Sequence, residues 1–170
     1  MFESSWKGVE EMEVRENEQR QGHIRFNAHE ISLVAAMIDK LSSTIDIMYF
    51  LMERKEERAF VAMLVSAQNL DLKTLIEKEK RETDIMFEIG AEEKLYALIC
   101  QDTKIDGGYH FADRLVRKTI EGGGEEVYCV ELEIRTTVHK IRYLIYRLME
   151  LFIQTRQNKQ TGEVIFKALN

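Results

Sequence analysis

The 170-residue chain has no excess of basic charge: 24 Lys and Arg stand against 30 Asp and Glu, a formal net charge of −6. General binding to nucleic acid or to an anionic membrane needs a positive surface, so both roles are excluded. Cysteine is scarce. Cys100 and Cys129 alone do not make a disulfide scaffold, and with no secretory leader in view they point to a reducing cytoplasm. Long apolar runs are missing as well. The most apolar stretch, Ile31 to Met52, is broken by Asp39, Lys40, Ser42, Ser43 and Asp46, too polar for a bilayer core. His23, His29, His110 and His139 have no second ligand at helical or turn spacing, which argues against a zinc or other metal site. Proline is absent, and nothing about function follows from that. There is no internal repeat and no low-complexity segment.

Apolar residues are plentiful enough for a core, 45% against 32% charged, in a length suited to one domain plus an appendage. Residues 1–26 are acidic and polar with no fixed apolar period, and read as a flexible arm; its single Trp6 is idle or docks on a partner. Residues 27–58 read as a helix and its exit. Asn27 is a candidate N-cap, and Glu30 closes a capping box. Val34, Ile38, Leu41, Ile45, Met48 and Met52 recur at spacings of 4, 3, 4, 3 and 4, the seam of a helix that packs on another helix. Two partners fit that seam, the chain's own α/β domain or a second copy in a homodimer; Met37, Met48 and Met52 read as packing residues. The run from Glu53 to Arg58 ends the helix or carries it into a solvated turn.

Residues 59–170 alternate strand and helix. Phe60 to Ala67 is a nearly continuous apolar run, as in a strand buried on both faces. Leu70 to Lys80 reads as a short helix, with Leu72, Leu75 and Ile76 on one side. Ile85 to Ile89 and Leu95 to Gln101 read as strands joined by a short Gly-containing hairpin. Ile105 to Glu121 follows as a helix with Phe111, Leu115, Val116 and Ile120 as its buried stripe, stopped by Gly122-Gly123-Gly124. Val127 to Ile134 alternates as a strand, Val138 to Gln157 is amphipathic, and after Gly162 a last strand runs from Glu163 to Leu169. The expected architecture is an α/β layered (α+β) domain: a mixed sheet flanked by helices, with an N-terminal helical extension.

The segment from Arg81 to Thr103 carries the chemistry. Its turn reads Gly90-Ala91-Glu92-Glu93-Lys94, and Arg81-Glu82-Thr83-Asp84 ends five residues before it. In that register, followed by a strand, Asp102-Thr103 and a helix with Ala112-Asp113-Arg114, the chain resembles the GGDEF domains, which make cyclic di-GMP from two GTP molecules. The exit of the last long helix, Asn158 to Val164, resembles the family's closing segment. The resemblance covers about Phe60 to Leu169 and implies a nucleotidyl-cyclase-like fold. It also implies that Arg81 and Asp84 stand where the family keeps its Arg-x-x-Asp product-inhibition site for cyclic di-GMP. Arg114 sits at the position of the second arginine that commonly completes that site, with Arg117 an alternative one turn later.

The residue types suit such a ligand. An arginine fork can engage guanine O6 and N7, or a phosphate, with paired hydrogen bonds. A carboxylate can accept from guanine's adjacent N1–H and N2–H₂ donors. The alternative for Arg81 and Asp84 is an i,i+3 surface ion pair, worth only ~0.3–0.5 kcal/mol.

The departures from the family pattern point away from catalysis. Ala91 replaces the second glycine, where a Cβ crowds the approach of a nucleotide. Lys94 replaces the aromatic that roots the turn. Glu92 and Glu93 could ligate a metal, but the first strand ends in Ser66-Ala67-Gln68-Asn69-Leu70, with only Asp71 beyond, where the family keeps its other metal carboxylate. Phosphoryl transfer depends on Mg²⁺, so that loss should disable it. The family's guanine-reading Asn and Asp have no counterpart in the shortened segment that follows. The expectation is a small cytoplasmic, non-enzymatic cyclic di-GMP receptor in a bacterial signalling setting, with a ligand but no cofactor, an unknown protein partner and no nucleic acid. Two alternatives are a scaffold of GGDEF-like fold that binds no nucleotide, and residual GTP chemistry through Glu92 and Glu93.

Overall fold

The computed structural model describes residues 25–101 and 105–170, so Trp6 and nearly all of the acidic arm lie outside the described residues. Its elements are α1 (Ala28–Glu53), β1 (Phe60–Gln68), α2 (Leu72–Glu79), β2 (Asp84–Gly90), β3 (Leu95–Cys100), α3 (Ile105–Glu121), β4 (Glu125–Ile134), α4 (Ile141–Gln157) and β5 (Val164–Leu169). The sheet and the helices from Ser32 onward form one unit, Ser32–Asn170. Among the described residues no helix is long and apolar enough to cross a membrane.

Five strands form one mixed sheet in the order β2-β3-β1-β4-β5. β1 is antiparallel to both neighbours, β2 and β3 form an antiparallel hairpin, and β5 alone pairs parallel, with β4. The order follows from connection length. A four-residue turn suffices for the hairpin, whereas α2, α3 and α4 each carry the chain back across the sheet.

Every residue of β1 from Phe60 to Ala67 is buried, as its unbroken apolar run predicts. Side chains alternate between the faces of a strand. Val61, Met63, Val65 and Ala67 therefore enter one core with Leu72 and Ile76 of α2 and Phe111, Leu115 and Val116 of α3. The opposite face belongs to α1 and α4: Tyr49 of α1 lies against Phe60, ring centroids 6.3 Å apart, and Phe152 of α4 meets Tyr128, the residue paired with Ser66.

The capping box of α1 is present: Glu30 N donates to Asn27 Oδ1 at 2.8 Å, and Asn27 N to Glu30 Oε1 at 2.9 Å. The seam is oriented by its neighbours. Val34, Leu41, Ile45 and Met48 are buried in this single chain, with Ile38 and Met52 half-buried. Within this chain the seam lies against the chain's own domain, as the contact of Tyr49 with Phe60 shows. Ile47 and Phe50, on another face of α1, are exposed.

Two expectations need correction. Helix α4 begins at Ile141, not Val138. The preceding segment is held out of the helix by Tyr49 Oη, which donates to the His139 carbonyl at 2.7 Å, and Val138 is exposed. In α3 the buried stripe ends on Thr119, whose hydroxyl donates to Leu115 O at 2.7 Å, while Ile120 falls at the rim and is exposed. Strand β4 alternates in sequence yet is buried on both faces over most of its length, because β1 and β5 flank it and α3 and α4 cover it.

Burying β4 takes two glutamates with it. Glu133 is paired with Arg135 at 2.5 Å. Among the described residues Glu131 has no hydrogen-bond partner for either carboxylate oxygen, and a Cβ added to Gly108 in the first turn of α3 would lie 2.9 Å from its Oε2. Burial pushes the Glu131 carboxyl up to about 8. It also lifts the thiols of Cys100 and Cys129 well above their usual range, as suits packed, unreactive cysteines.

Glu131 is thus protonated in the folded chain at neutral pH, whereas in the unfolded chain an ordinary glutamate titrates near ~4.3. Between those values the folded state holds the extra proton, so stability falls as pH rises across that window and levels off above about 8. Glu131→Gln is expected to flatten the profile and to gain on the order of 5 kcal/mol at alkaline pH. Urea denaturation across the window reads it directly; an unchanged slope would show that Glu131 is ionised in the native state.

Candidate functional site

Two features at opposite ends of the β2–β3 strand pair make up the candidate site: the hairpin between β2 and β3, and the turn that leads from α2 into β2. In the hairpin, Lys94 closes the turn with a left-handed φ of 50° and donates its N–H to Ala91 O at 3.3 Å. Ala91 and Glu92 are exposed. Glu93 is half-buried and folds back over Gly90, so a Cβ added at Gly90 would collide with Glu93 Oε2 and lie 3.1 Å from Leu33 Cδ2. A larger residue at this position would displace the Glu93 carboxylate from its place over the turn. From α1, Leu33 lies against the hairpin and Lys40 Nζ donates to Glu88 O on β2.

Below the hairpin lies a cavity of about 220 Å³, lined among others by Leu33, Ser66, Gln68, Leu95, Tyr128 and Phe152. The end of β1 offers it no carboxylate. Ser66 and Gln68 face it, and Gln68 Nε2 donates to Glu93 O at 3.5 Å. Asn69 takes a left-handed φ of 66° and donates to Glu125 Oε2 at 2.7 Å. Asp71 is engaged as the N-cap of α2, accepting from Thr74 N at 3.2 Å and from Thr74 Oγ1 at 2.7 Å; these bonds hold its carboxyl below the usual range. Among the described residues no trio of His, Cys, Asp or Glu side chains is placed to hold a metal ion.

The second feature is built around Asp84, the first residue of β2. Its carboxylate is 1% exposed and accepts from Arg81 N at 2.9 Å, Arg81 Nε at 3.2 Å and Arg81 Nη2 at 2.9 Å. Arg81 Nη2 also donates to Gln101 O at 2.9 Å, and Gln101 Nε2 to Thr83 O at 2.7 Å. Lys80 Nζ adds a bond to Asp84 O at 3.1 Å. This turn is more than a surface ion pair, since its carboxylate is buried and its arginine clamps the start of β2 to the exit of β3. Half of the Arg81 side chain remains exposed. The carboxylate of Asp84 faces inward onto Arg81, so an incoming guanine would compete with Arg81 for it.

The structure brings Arg114 to the same end of the domain. Its guanidinium lies 5.4 Å from the ring centroid of Phe111; Nη2 donates to Glu79 O at 3.3 Å and Nε sits 3.4 Å from Glu79 Oε2. Glu79, the last residue of α2, precedes Arg81 by two positions and also binds Lys118 Nζ at 2.8 Å through Oε1. Arg117 is exposed on α3. Sequence reasoning missed Glu79, Lys118 and Gln101. A signal existed for Lys118, one turn beyond Arg114 on the same helix face; none existed for Glu79, which sits in a charged run that looks like solvated surface.

No family profile matches the sequence, and no curated protein matches it. Solved structures match it in fold. The active GGEEF domain of a diguanylate cyclase from Vibrio cholerae superposes with a TM-score of 0.56 at 11% identity, over 72% of this chain and 90% of that one. A microbial GGDEF domain, described in a novel interaction mode with bis-(3,5)-cyclic di-GMP, superposes with a TM-score of 0.51 at 12% identity, over 78% of this chain and 86% of that one. The chain therefore has the fold of the GGDEF cyclase domains, as its strand order and hairpin already indicate.

Asp84 and Arg114 should differ in their hold on the fold. Asp84→Ala strips a buried anchor and leaves its donors without a partner, and is expected to cost roughly 1–3 kcal/mol. Arg114→Ala loses a half-exposed pair and should stay within about 1 kcal/mol. Urea denaturation of both variants tests the order; equal losses would contradict it.

Proposed function

We propose that this chain is a non-enzymatic receptor for cyclic di-GMP, built on a GGDEF-like domain whose catalytic cleft is inactive. The observation that carries the reading is the Arg81 turn: a half-exposed guanidinium fixed by a buried carboxylate, five residues ahead of the signature hairpin. An arginine held in place gives up little freedom on meeting a guanine edge or a phosphate, which favours binding by a fork already oriented. Arg114 supplies a second guanidinium beside α2, and Arg117 a third on the exposed face of α3. A microbial GGDEF domain of the same fold is described with this ligand.

Inactivity is inferred from the cleft. Glu92 and Glu93 have no carboxylate facing them from the end of β1, where Ser66 and Gln68 stand and Asp71 caps α2. The small cavity between hairpin and sheet is lined partly by Leu33 of α1. The reading keeps the chain in the cytoplasm, with a ligand but no cofactor and with a protein partner that responds to the bound form. If two copies pair through α1, they must use a face other than the buried seam, such as the one with Ile47 and Phe50.

A second reading, a protein-interaction scaffold of the same fold that binds no nucleotide, is favoured by one observation. Asp84 and Arg114 are each already engaged within the chain, Asp84 by Arg81 and Arg114 by Glu79.

Isothermal titration with cyclic di-GMP separates the two. The receptor gives micromolar binding that weakens roughly ten-fold or more in Arg81→Ala. A folded protein that releases no heat up to high ligand concentration is a scaffold. Magnesium-dependent GTP turnover that vanishes in Glu92→Ala would instead make the chain an enzyme.

A further inference from the structure

The cations beside the Arg81 turn already hold an anion. Glu79 turns its carboxylate inward at the end of α2, with a side chain 9% exposed, and the two cations it binds lie outside it at 44% each. Lys118 makes a close contact, 2.8 Å to Oε1. Arg114 makes two long ones, 3.4 Å from Nε to Oε2 and 3.3 Å from Nη2 to the Glu79 carbonyl. A well-formed guanidinium–oxyanion pair closes to ~2.7–2.9 Å on two parallel bonds, so Arg114 is held below its capacity. The ring of Phe111 supports the guanidinium from one side, 5.4 Å from its centroid, and would keep it in place if Glu79 let go. Lys118 follows four residues later on the same face of α3, so the two charges project together.

We propose that Arg114 and Lys118 form an anion subsite suited to a phosphate group, which Glu79 occupies in the unliganded chain and for which it competes with ligand. The proposal rests on the reading of the adjacent Arg81 turn as a ligand site and supplies that site with an internal competitor. A phosphodiester presents two unesterified oxygens and a terminal phosphate three, on a group not tethered to the end of α2, so either can move to satisfy the fork of Arg114 and the ammonium of Lys118 together. Glu79 is then a specificity-setting residue. A weakly charged or poorly placed ligand group fails to displace it, and a phosphate succeeds at a reduced affinity.

Glu79→Gln keeps the shape and removes the competing charge. Titration calorimetry on the full chain, with cyclic di-GMP and separately with inorganic pyrophosphate, should show both binding roughly three- to ten-fold tighter in Glu79→Gln than in wild type. Arg114→Gln added to that background should cancel the gain, and thermal melts of each variant check that it is folded. Tighter pyrophosphate with no cyclic di-GMP binding by any variant would uphold the subsite and overturn the cyclic dinucleotide reading. Unchanged or weaker binding of both anions in Glu79→Gln would overturn the competitor and make Glu79 a brace for Arg114. A gain that survives Arg114→Gln, or no binding of either anion by wild type and variant alike, would overturn the subsite.

Discussion

Strand β1 leaves neither a face nor an edge for water: both neighbours pair with it antiparallel, and helices cover it above and below. That burial sets the rest of the layout. A strand enclosed in this way needs apolar residues at every position, which is why Phe60 to Ala67 has no polar alternation until Ser66 at its exit. With β1 central, β3 and β4 must lie on either side of it. The connections through α2 and α3 must then cross one core face together. The other face is left for α1 and α4, and the seam of α1 closes it.

The candidate site sits where this layout brings the chain back on itself. The hairpin projects from the paired ends of β2 and β3 and is held against α1 through Leu33 and Lys40. At the opposite ends of the same two strands, Asp84 pairs with Cys100 in the ladder, and Arg81 reaches over to the carbonyl of Gln101. One strand pair thus carries both the signature turn and the arginine turn, at its two ends, and the rigidity of the pair fixes their spacing. Arg114 joins from α3 because α3 packs beside α2 on a shared core.

Four glutamates show how placement decides what a carboxylate does. Glu93 folds over a glycine that has no side chain to oppose it. Glu79 holds two cations at a helix end. Glu133 is buried with an arginine beside it, and Glu131 is buried with no partner among the described residues, so that it carries a proton at neutral pH. The chemistry of the side chain is the same in each case. The local supply of partners and water differs, and with it the charge state.

Sequence alone determined the element order, the both-sided burial of β1, the capping box at Asn27 and Glu30, and the hairpin with its arginine turn in register. These are local: periodicity and spacing are written along the chain, and the fold obeys them because backbone hydrogen bonds and apolar burial act over a few residues. Only the tertiary structure decided what the seam of α1 packs against within the chain, that Asp84 faces inward onto Arg81, that Glu79 holds Arg114 and Lys118, and that Glu131 is buried with no partner among the described residues. Periodicity states which face of an element is apolar and leaves open what covers it. Charge interacts through space, so a glutamate in a charged run and one in an alternating strand read alike until the chain has folded around them.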